Sequence, residues 1–131
     1  GSYVTASGAT AACVTWPLCQ GDVFPRGLPA AIHMGHRYVA LIVGVFLLYS
    51  VHLGFRGRDR SRDLRLLSMA VAALFVLQIA VGAATILFGF PIHLITLHLA
   101  LGSAVWATIA ATAFASLTRP SNAEAVSQGA T

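Results

Sequence analysis

Three long runs of apolar residues, separated by short polar segments, dominate the chain. They extend over about residues 33–54, 64–89 and 92–117. A helix rising about 1.5 Å per residue crosses a bilayer core of about 30 Å with roughly 20 residues, so each run is long enough to span a membrane. The pattern predicts an all-α integral membrane protein with three transmembrane helices.

The composition supports this class and excludes others. Of the 131 residues, 57% are hydrophobic and 9% are charged, whereas soluble domains carry about 25% charged residues. A soluble fold of this size could not bury so much apolar surface, which excludes a soluble enzyme and a nucleic-acid-binding domain. The net charge of +4 does not indicate a nucleic-acid partner either, because the chain has no Lys and its arginines concentrate in residues 56–65.

The arginine-rich segment also predicts the orientation in the membrane. The loop over residues 55–63, with the sequence FRGRDRSRD, joins the first two apolar runs. Short basic loops stay on the cytoplasmic side, and the turn over residues 88–91 then lies on the opposite side. We therefore expect a multi-pass protein of the cell (inner) membrane, surrounded by lipid. We expect residues 1–32 to form an external loop, residues 33–117 a three-helix transmembrane bundle, and residues 118–131 a disordered cytoplasmic tail.

The external segment contains two cysteines, Cys13 and Cys19, in the sequence CVTWPLC. On the oxidising side of the membrane this spacing favours a short disulfide loop, the alternative being two free thiols. The chain opens on GSYVTASGAT without a methionine. We expect further sequence upstream, including another apolar helix that ends near Val4.

Two histidines within the apolar runs are the main candidates for chemistry, because ionisable groups are costly in a bilayer. His36 and His98 enter their helices from the same side and reach a similar depth. Two histidines on facing helices can occupy both axial positions of a haem iron; the alternative is a hydrogen-bonded pair in a bundle. Zinc or copper is less favoured, since no third nitrogen, thiolate or carboxylate lies nearby at that depth.

Four further residues are candidates for contact with a bound haem. Arg37 can pair with a haem propionate, or its side chain can reach the lipid headgroups. His33 can line the mouth of the same cavity. Gln78 and Gly82 share one face of the second helix, where small residues allow a helix or a flat ligand to approach. The remaining histidines, His52 and His93, are expected at the membrane interfaces.

Three segments of the chain resemble the haem A synthase family. They are GSYVTASGATAACVTWPLC, IHMGHRYVAL and QIAVGAATILFGFPIHLITLHLAL, and together they cover roughly residues 1–105. The 62 positions from His36 to His98 fit the family's separation between paired haem ligands. The family is built as two similar four-helix halves. The resemblance therefore implies that this chain is one half, or a half-size homologue, without its first helix.

The resemblance carries functional expectations residue by residue. It implies that His36 and His98 are the axial haem ligands and that Cys13 and Cys19 form the loop disulfide. The family oxidises a methyl group of haem O to the formyl group of haem A. The expected cofactor is haem b, with haem O or haem A as substrate or product. The family's N-terminal half commonly has a Glu where this chain has His33, which indicates either the C-terminal, cofactor-binding half or a short homologue whose oxidation chemistry differs or is absent. No residue is assigned as catalytic.

A second hypothesis remains open, because two axial histidines leave no iron position for oxygen. The chain would then be a non-catalytic haem b subunit for electron transfer, or a structural subunit, in a respiratory complex; a haem-free bundle is the third possibility. In either haem hypothesis, hydrogen bonds should orient the second ring nitrogen of each ligand. The expected partners are an upstream helix or the other half of the protein, and haem O synthase or terminal oxidase subunits.

Overall fold

The computed structural model describes residues 1–56 and 62–118. A short helix, α1 (Ser2–Ala6), precedes three long helices, α2 (Leu28–Arg56), α3 (Arg62–Leu87) and α4 (Ile92–Leu117). Each of the three long helices contains a stretch of sufficient length and hydropathy to cross a membrane, which confirms the predicted all-α integral membrane fold. Most of the predicted arginine-rich loop and nearly all of the predicted tail lie outside the described residues.

Local sequence signals explain where the helices begin and end. The first long helix starts at Leu28, earlier than its apolar run predicts, because Pro29 is well tolerated in a first helical turn. Gly27 precedes it with a positive φ of 93°. The turn between α3 and α4 places Gly89 and Phe90 at φ values of 74° and 62°. The bounds of α4 coincide with the predicted run.

The central helix of the bundle is α3, which packs against both α2 and α4. Its contact with α2 depends on a glycine: a Cβ atom built at Gly44 would lie only 2.6 Å from Cε1 of Phe75. Phe75 is buried, so its ring fills the space that a side chain at position 44 would need. Small residues allow membrane helices to approach each other closely, and Gly44 has this role between α2 and α3.

The outward faces of the long helices are strongly apolar. Trp106 and Phe114 on α4 are 72% and 70% exposed, which suits a hydrocarbon environment. A groove of about 440 Å³ lies between the three helices, toward the end of the bundle away from His36 and His98. Its lining includes Val43, Phe46, Val71, Ile109 and Thr112.

Candidate functional site

The segment between α1 and α2, residues 7–27, contains both cysteines and is called the cysteine loop below. The side chains of His36 on α2 and His98 on α4 approach each other at the end of the bundle beside this loop. Their ring centroids are 6.5 Å apart, and the ring planes are inclined by 89°. Both residues are partly buried. Since a metal–imidazole bond is about 2 Å long, two imidazoles on opposite sides of one metal ion have ring centres roughly 6 Å apart. The observed separation is compatible with such a pair.

The ring of His98 is held by the main chain of α3. Its Nδ1 atom lies 3.1 Å from the carbonyl oxygen of Gln78. A carbonyl oxygen only accepts hydrogen bonds, so Nδ1 carries the proton in the neutral ring. The lone pair is then on Nε2. The sequence-based expectation that a hydrogen bond orients the second ring nitrogen thus has a specific partner at His98.

Glycine residues make this arrangement possible. A Cβ atom at Gly82 would lie 2.8 Å from Cε1 of His98 and 3.2 Å from its Nδ1. Gly82 is one helical turn beyond Gln78, so a side chain there would block the path from the ring to the Gln78 carbonyl. On the facing helix, a Cβ atom at Gly102 would lie 3.1 Å from Nε2 of the Gln78 side chain. The two glycines bring α3 and α4 close together around Gln78 and His98.

His33 lies one turn before His36 on α2 and is 7% exposed. Its Nδ1 atom is buried and has no hydrogen-bond partner among the described residues. The side chain is near the backbone of Ala9 in the external segment. His33 therefore lies between α2 and the loop that covers this end of the bundle.

Arg37 anchors the cysteine loop to α2. Its Nη1 atom donates hydrogen bonds to the carbonyl oxygens of Thr15 and Pro17, each at 2.9 Å, and Nη2 lies 3.5 Å from the carbonyl oxygen of Cys13. The guanidinium group of Arg37 thus contacts main-chain carbonyl oxygens of the cysteine loop. Its pairing with a haem propionate stays a prediction, and sequence reasoning did not anticipate the loop contacts.

The cysteine loop has two further attachments to α2. The Sγ atoms of Cys13 and Cys19 lie 2.09 Å apart, and the buried cysteine pair packs against Met34. The hydroxyl of Tyr38 donates to the carbonyl oxygen of Val23. The loop and the first turns of α2 therefore form one packed unit next to His36.

The remaining histidines have different surroundings. His52 and His93 are exposed, and their interfacial placement stays a prediction. Within residues 1–56 and 62–118, no group of three His, Cys, Asp or Glu side chains is arranged to hold a metal ion. The histidine pair is therefore the candidate site that the described part of the chain offers.

Comparison with known proteins identifies relatives over most of the chain. A family model described as cytochrome oxidase assembly protein matches residues 1–110. A haem A synthase from Exiguobacterium sp. is 33% identical over 99 residues, which are 75% of this chain and 31% of that protein. A haem A synthase from Alkalihalophilus pseudofirmus is 31% identical over 101 residues, covering 75% of this chain and 34% of that protein.

The chain is also similar to proteins that are named for a different reaction on haem. A protoheme IX farnesyltransferase from Haloarcula marismortui is 35% identical over 106 residues, which are 81% of this chain and 22% of that protein. The chain thus matches between about a fifth and a third of the length of these three relatives. No solved structure shows significant similarity to the chain. The family match over residues 1–110 and the similarity to haem A synthases show that the chain belongs to the haem A synthase family of cytochrome oxidase assembly proteins.

Proposed function

We propose that this chain is a haem-holding membrane module for haem A formation, with His36 and His98 as the two axial ligands of a haem b. The observation that carries the proposal is the pair of partly buried imidazoles with ring centroids 6.5 Å apart. The hydrogen bond from His98 to the Gln78 carbonyl supports it, because it places the lone pair of the neutral ring on Nε2, the nitrogen that would bind a metal.

The donor set suits haem better than a smaller metal centre. Two imidazoles provide both axial bonds to an iron whose other four ligands come from the porphyrin. A zinc site needs about four protein or water ligands, and no third metal-binding side chain joins the histidines within the described residues. A haem bound there would take its apolar walls from exposed side chains of α2 and α4 near the pair, such as Val39 and Leu97.

The names of the relatives favour a general role in holding haem. The matched segment occurs in proteins named haem A synthase and in proteins named protoheme IX farnesyltransferase, and it covers only part of each. Because these names denote two different reactions on haem, the shared segment is better explained by haem binding than by one catalytic step.

The proposal includes a topology and a disulfide. With the arginine-rich loop in the cytoplasm, the histidine pair and the cysteine loop lie toward the outer face of the membrane. We propose that Cys13 and Cys19 form a disulfide there. Together with Arg37, this bond would keep the loop packed on α2 and limit the access of water to His36.

The test is a reduced-minus-oxidised optical spectrum, with pyridine haemochrome analysis, of the purified membrane protein. The wild type should contain a six-coordinate haem b that is lost in His36→Ala and in His98→Ala. His93→Ala is the matched control, because His93 is exposed on the same helix as His98, and it should retain the haem. Haem bound equally well by all four proteins would contradict the assignment of the ligands, and a haem-free wild type would contradict the haem-binding function.

The second candidate function is electron transfer without substrate turnover. The two-histidine site favours it, because an iron held by both His36 and His98 would have no position left for oxygen. Expression of the chain in cells that supply haem O separates the two functions. Haem A formed by the chain alone would establish catalysis, whereas stable, redox-active haem b without haem A would establish the electron-transfer role.

A further inference from the structure

Gln78 contacts both ring nitrogens of His98 through two different groups. Its main-chain oxygen lies 3.1 Å from Nδ1, and its side-chain Nε2 lies 3.4 Å from the Nε2 of the ring. We propose that Gln78 is a positioning residue: its carbonyl fixes the tautomer of His98, and its amide shields the Nε2 lone pair until a metal ion displaces it. The second part of this proposal rests on the proposed haem-binding function.

The two contacts are chemically consistent with each other. The carbonyl oxygen requires a proton on Nδ1, which leaves Nε2 of a neutral imidazole as an acceptor. The amide nitrogen of Gln78 is a donor, so it can supply the hydrogen bond that this lone pair needs. With the opposite tautomer both contacts would be unfavourable. The lone pair of Nδ1 would then point at the lone pairs of the carbonyl oxygen, and the N–H group at Nε2 would point at an N–H group of the amide.

The amide contact is weak enough to be exchanged for a metal bond. The amide and ring nitrogens are 3.4 Å apart, whereas well-formed hydrogen bonds from an N–H group to oxygen are about 2.7–3.2 Å long. The other end of the amide is unsatisfied, since Oε1 of Gln78 is buried without a hydrogen-bond partner within the described residues. A buried acceptor without a partner is unfavourable. The side chain therefore loses little when it turns away from His98.

Gly102 limits where the amide can go. A Cβ atom at this position would lie 3.1 Å from Nε2 of Gln78, so the amide rests on the bare backbone of α4. A larger residue at position 102 would displace the amide from this position. The amide of Gln78 is thus held between the His98 ring and the backbone of α4.

The tautomer can be tested without haem, which separates this inference from the proposed function. Nitrogen-15 NMR of histidine-labelled, metal-free protein in detergent micelles reports which ring nitrogen carries the proton. The His98 signals are those lost in His98→Ala. We expect Nδ1 to be protonated and Nε2 to be hydrogen-bonded but unprotonated. A proton on Nε2 would overturn the assignment.

Two substitutions of Gln78 test the side chain. In Gln78→Leu the main-chain carbonyl remains, so the tautomer should stay the same while the Nε2 signal moves to that of a free lone pair. Gln78→Glu keeps the size but replaces the amide donor by a carboxyl group, so the hydrogen bond at Nε2 should change and the Nε2 signal should move. Thr85→Val is the matched control, because Thr85 is buried on the same helix and its hydroxyl bonds to Val81 of its own helix. Unchanged His98 signals in both Gln78 variants would overturn the role of the amide.

The shielding itself is tested by the rate of haem binding. Ferric protoporphyrin IX is added to the metal-free protein, and the formation of the six-coordinate spectrum is followed by stopped flow. Loss of one competing hydrogen bond should make association about fivefold faster in Gln78→Leu, with Thr85→Val at the wild-type rate. An unchanged or slower rate in Gln78→Leu would overturn the shielding role. If the wild type binds no haem, the shielding role falls with the proposed function, and the tautomer is decided by the NMR result.

Discussion

The imidazole of His98 lies against the bare backbone of Gly82. A Cβ atom at position 82 would stand 2.8 Å from Cε1 of the ring, which is shorter than the optimum of about 3.5 Å or more for non-bonded carbon atoms. Even the smallest side chain would therefore push the ring away from the carbonyl oxygen of Gln78. The position of the His98 ring therefore depends on the absence of a side chain at position 82 as well as on the residues that contact the ring.

Gly82→Ala should weaken haem binding about tenfold, which is at the low end of the effect of losing a group that orients a metal ligand. Titration of the metal-free variant with ferric protoporphyrin IX measures the affinity. Gly35→Ala is the control, because a Cβ atom at Gly35, also within a long helix, would meet no atom within 4 Å. If both variants bind haem as the wild type does, the close contact at Gly82 has no role in the site.

Gly44→Ala should lower the free energy of unfolding by about 2 kcal/mol, the usual cost of overpacking a tight contact. The added methyl group would lie 2.6 Å from Cε1 of Phe75. Thermal unfolding in detergent measures the loss. Combining Gly44→Ala with Phe75→Leu should recover part of it, because the two changes act on one contact. Strictly additive effects would show that the contact between α2 and α3 does not depend on this pair.

Arg37→Lys should loosen the cysteine loop although it keeps the charge. The guanidinium group reaches three carbonyl oxygens through two nitrogens, those of Thr15 and Pro17 from Nη1 and that of Cys13 from Nη2, whereas an ammonium group has a single nitrogen. Hydrogen exchange at the amides of Cys19 and Asp22 should become about tenfold faster, as expected for the loss of a charge-assisted hydrogen bond. Arg26→Lys, at an exposed position of the same loop, should exchange as the wild type does. Equal exchange rates in the two variants would contradict the anchoring role.

Cys13→Ser/Cys19→Ser should lower the stability of the protein by about 2 kcal/mol, the entropic contribution of a disulfide that closes a short loop. A reducing agent should lower the melting temperature of the wild type and leave that of the double variant unchanged. Mass spectrometry after alkylation under non-reducing conditions checks the bond directly. Two alkylated cysteines in protein purified without reductant would refute the disulfide.

The helices were predictable because membrane insertion leaves a strong signal. Lipid requires long, uninterrupted apolar segments, so the run over residues 92–117 predicted α4 without error. The start of α2 at Leu28 was missed, since the segment before His33 is rich in Gly and Pro, and its helix is stabilised by packing against the cysteine loop. Hydropathy does not report such tertiary packing.

The site was partly predictable. The shared depth of His36 and His98 follows from helix geometry, and the face that joins Gln78 to Gly82 follows from helical periodicity. The contact between the Gln78 carbonyl and His98 was not foreseen, because every residue has a carbonyl and no sequence pattern marks the one that is used. The sequence pattern that could have indicated this contact is Gly82 one helical turn after Gln78, on a helix that faces His98. The loop contacts of Arg37 depend on the fold of residues 13–17, which the sequence alone does not determine.

The two histidines differ in how firmly the protein holds them. His98 is immobilised by a main-chain carbonyl and a glycine surface, whereas the His36 ring accepts or donates no hydrogen bond within the described part of the chain. If both histidines bind haem as proposed, the entropic cost of ordering the ring is already met at His98 before binding and is incurred at His36 during binding. Only the His98 side of the site is therefore preorganised. Changes that restrict the rotamers of His36 should therefore raise the affinity for haem more than changes that further restrict the orientation of the His98 ring.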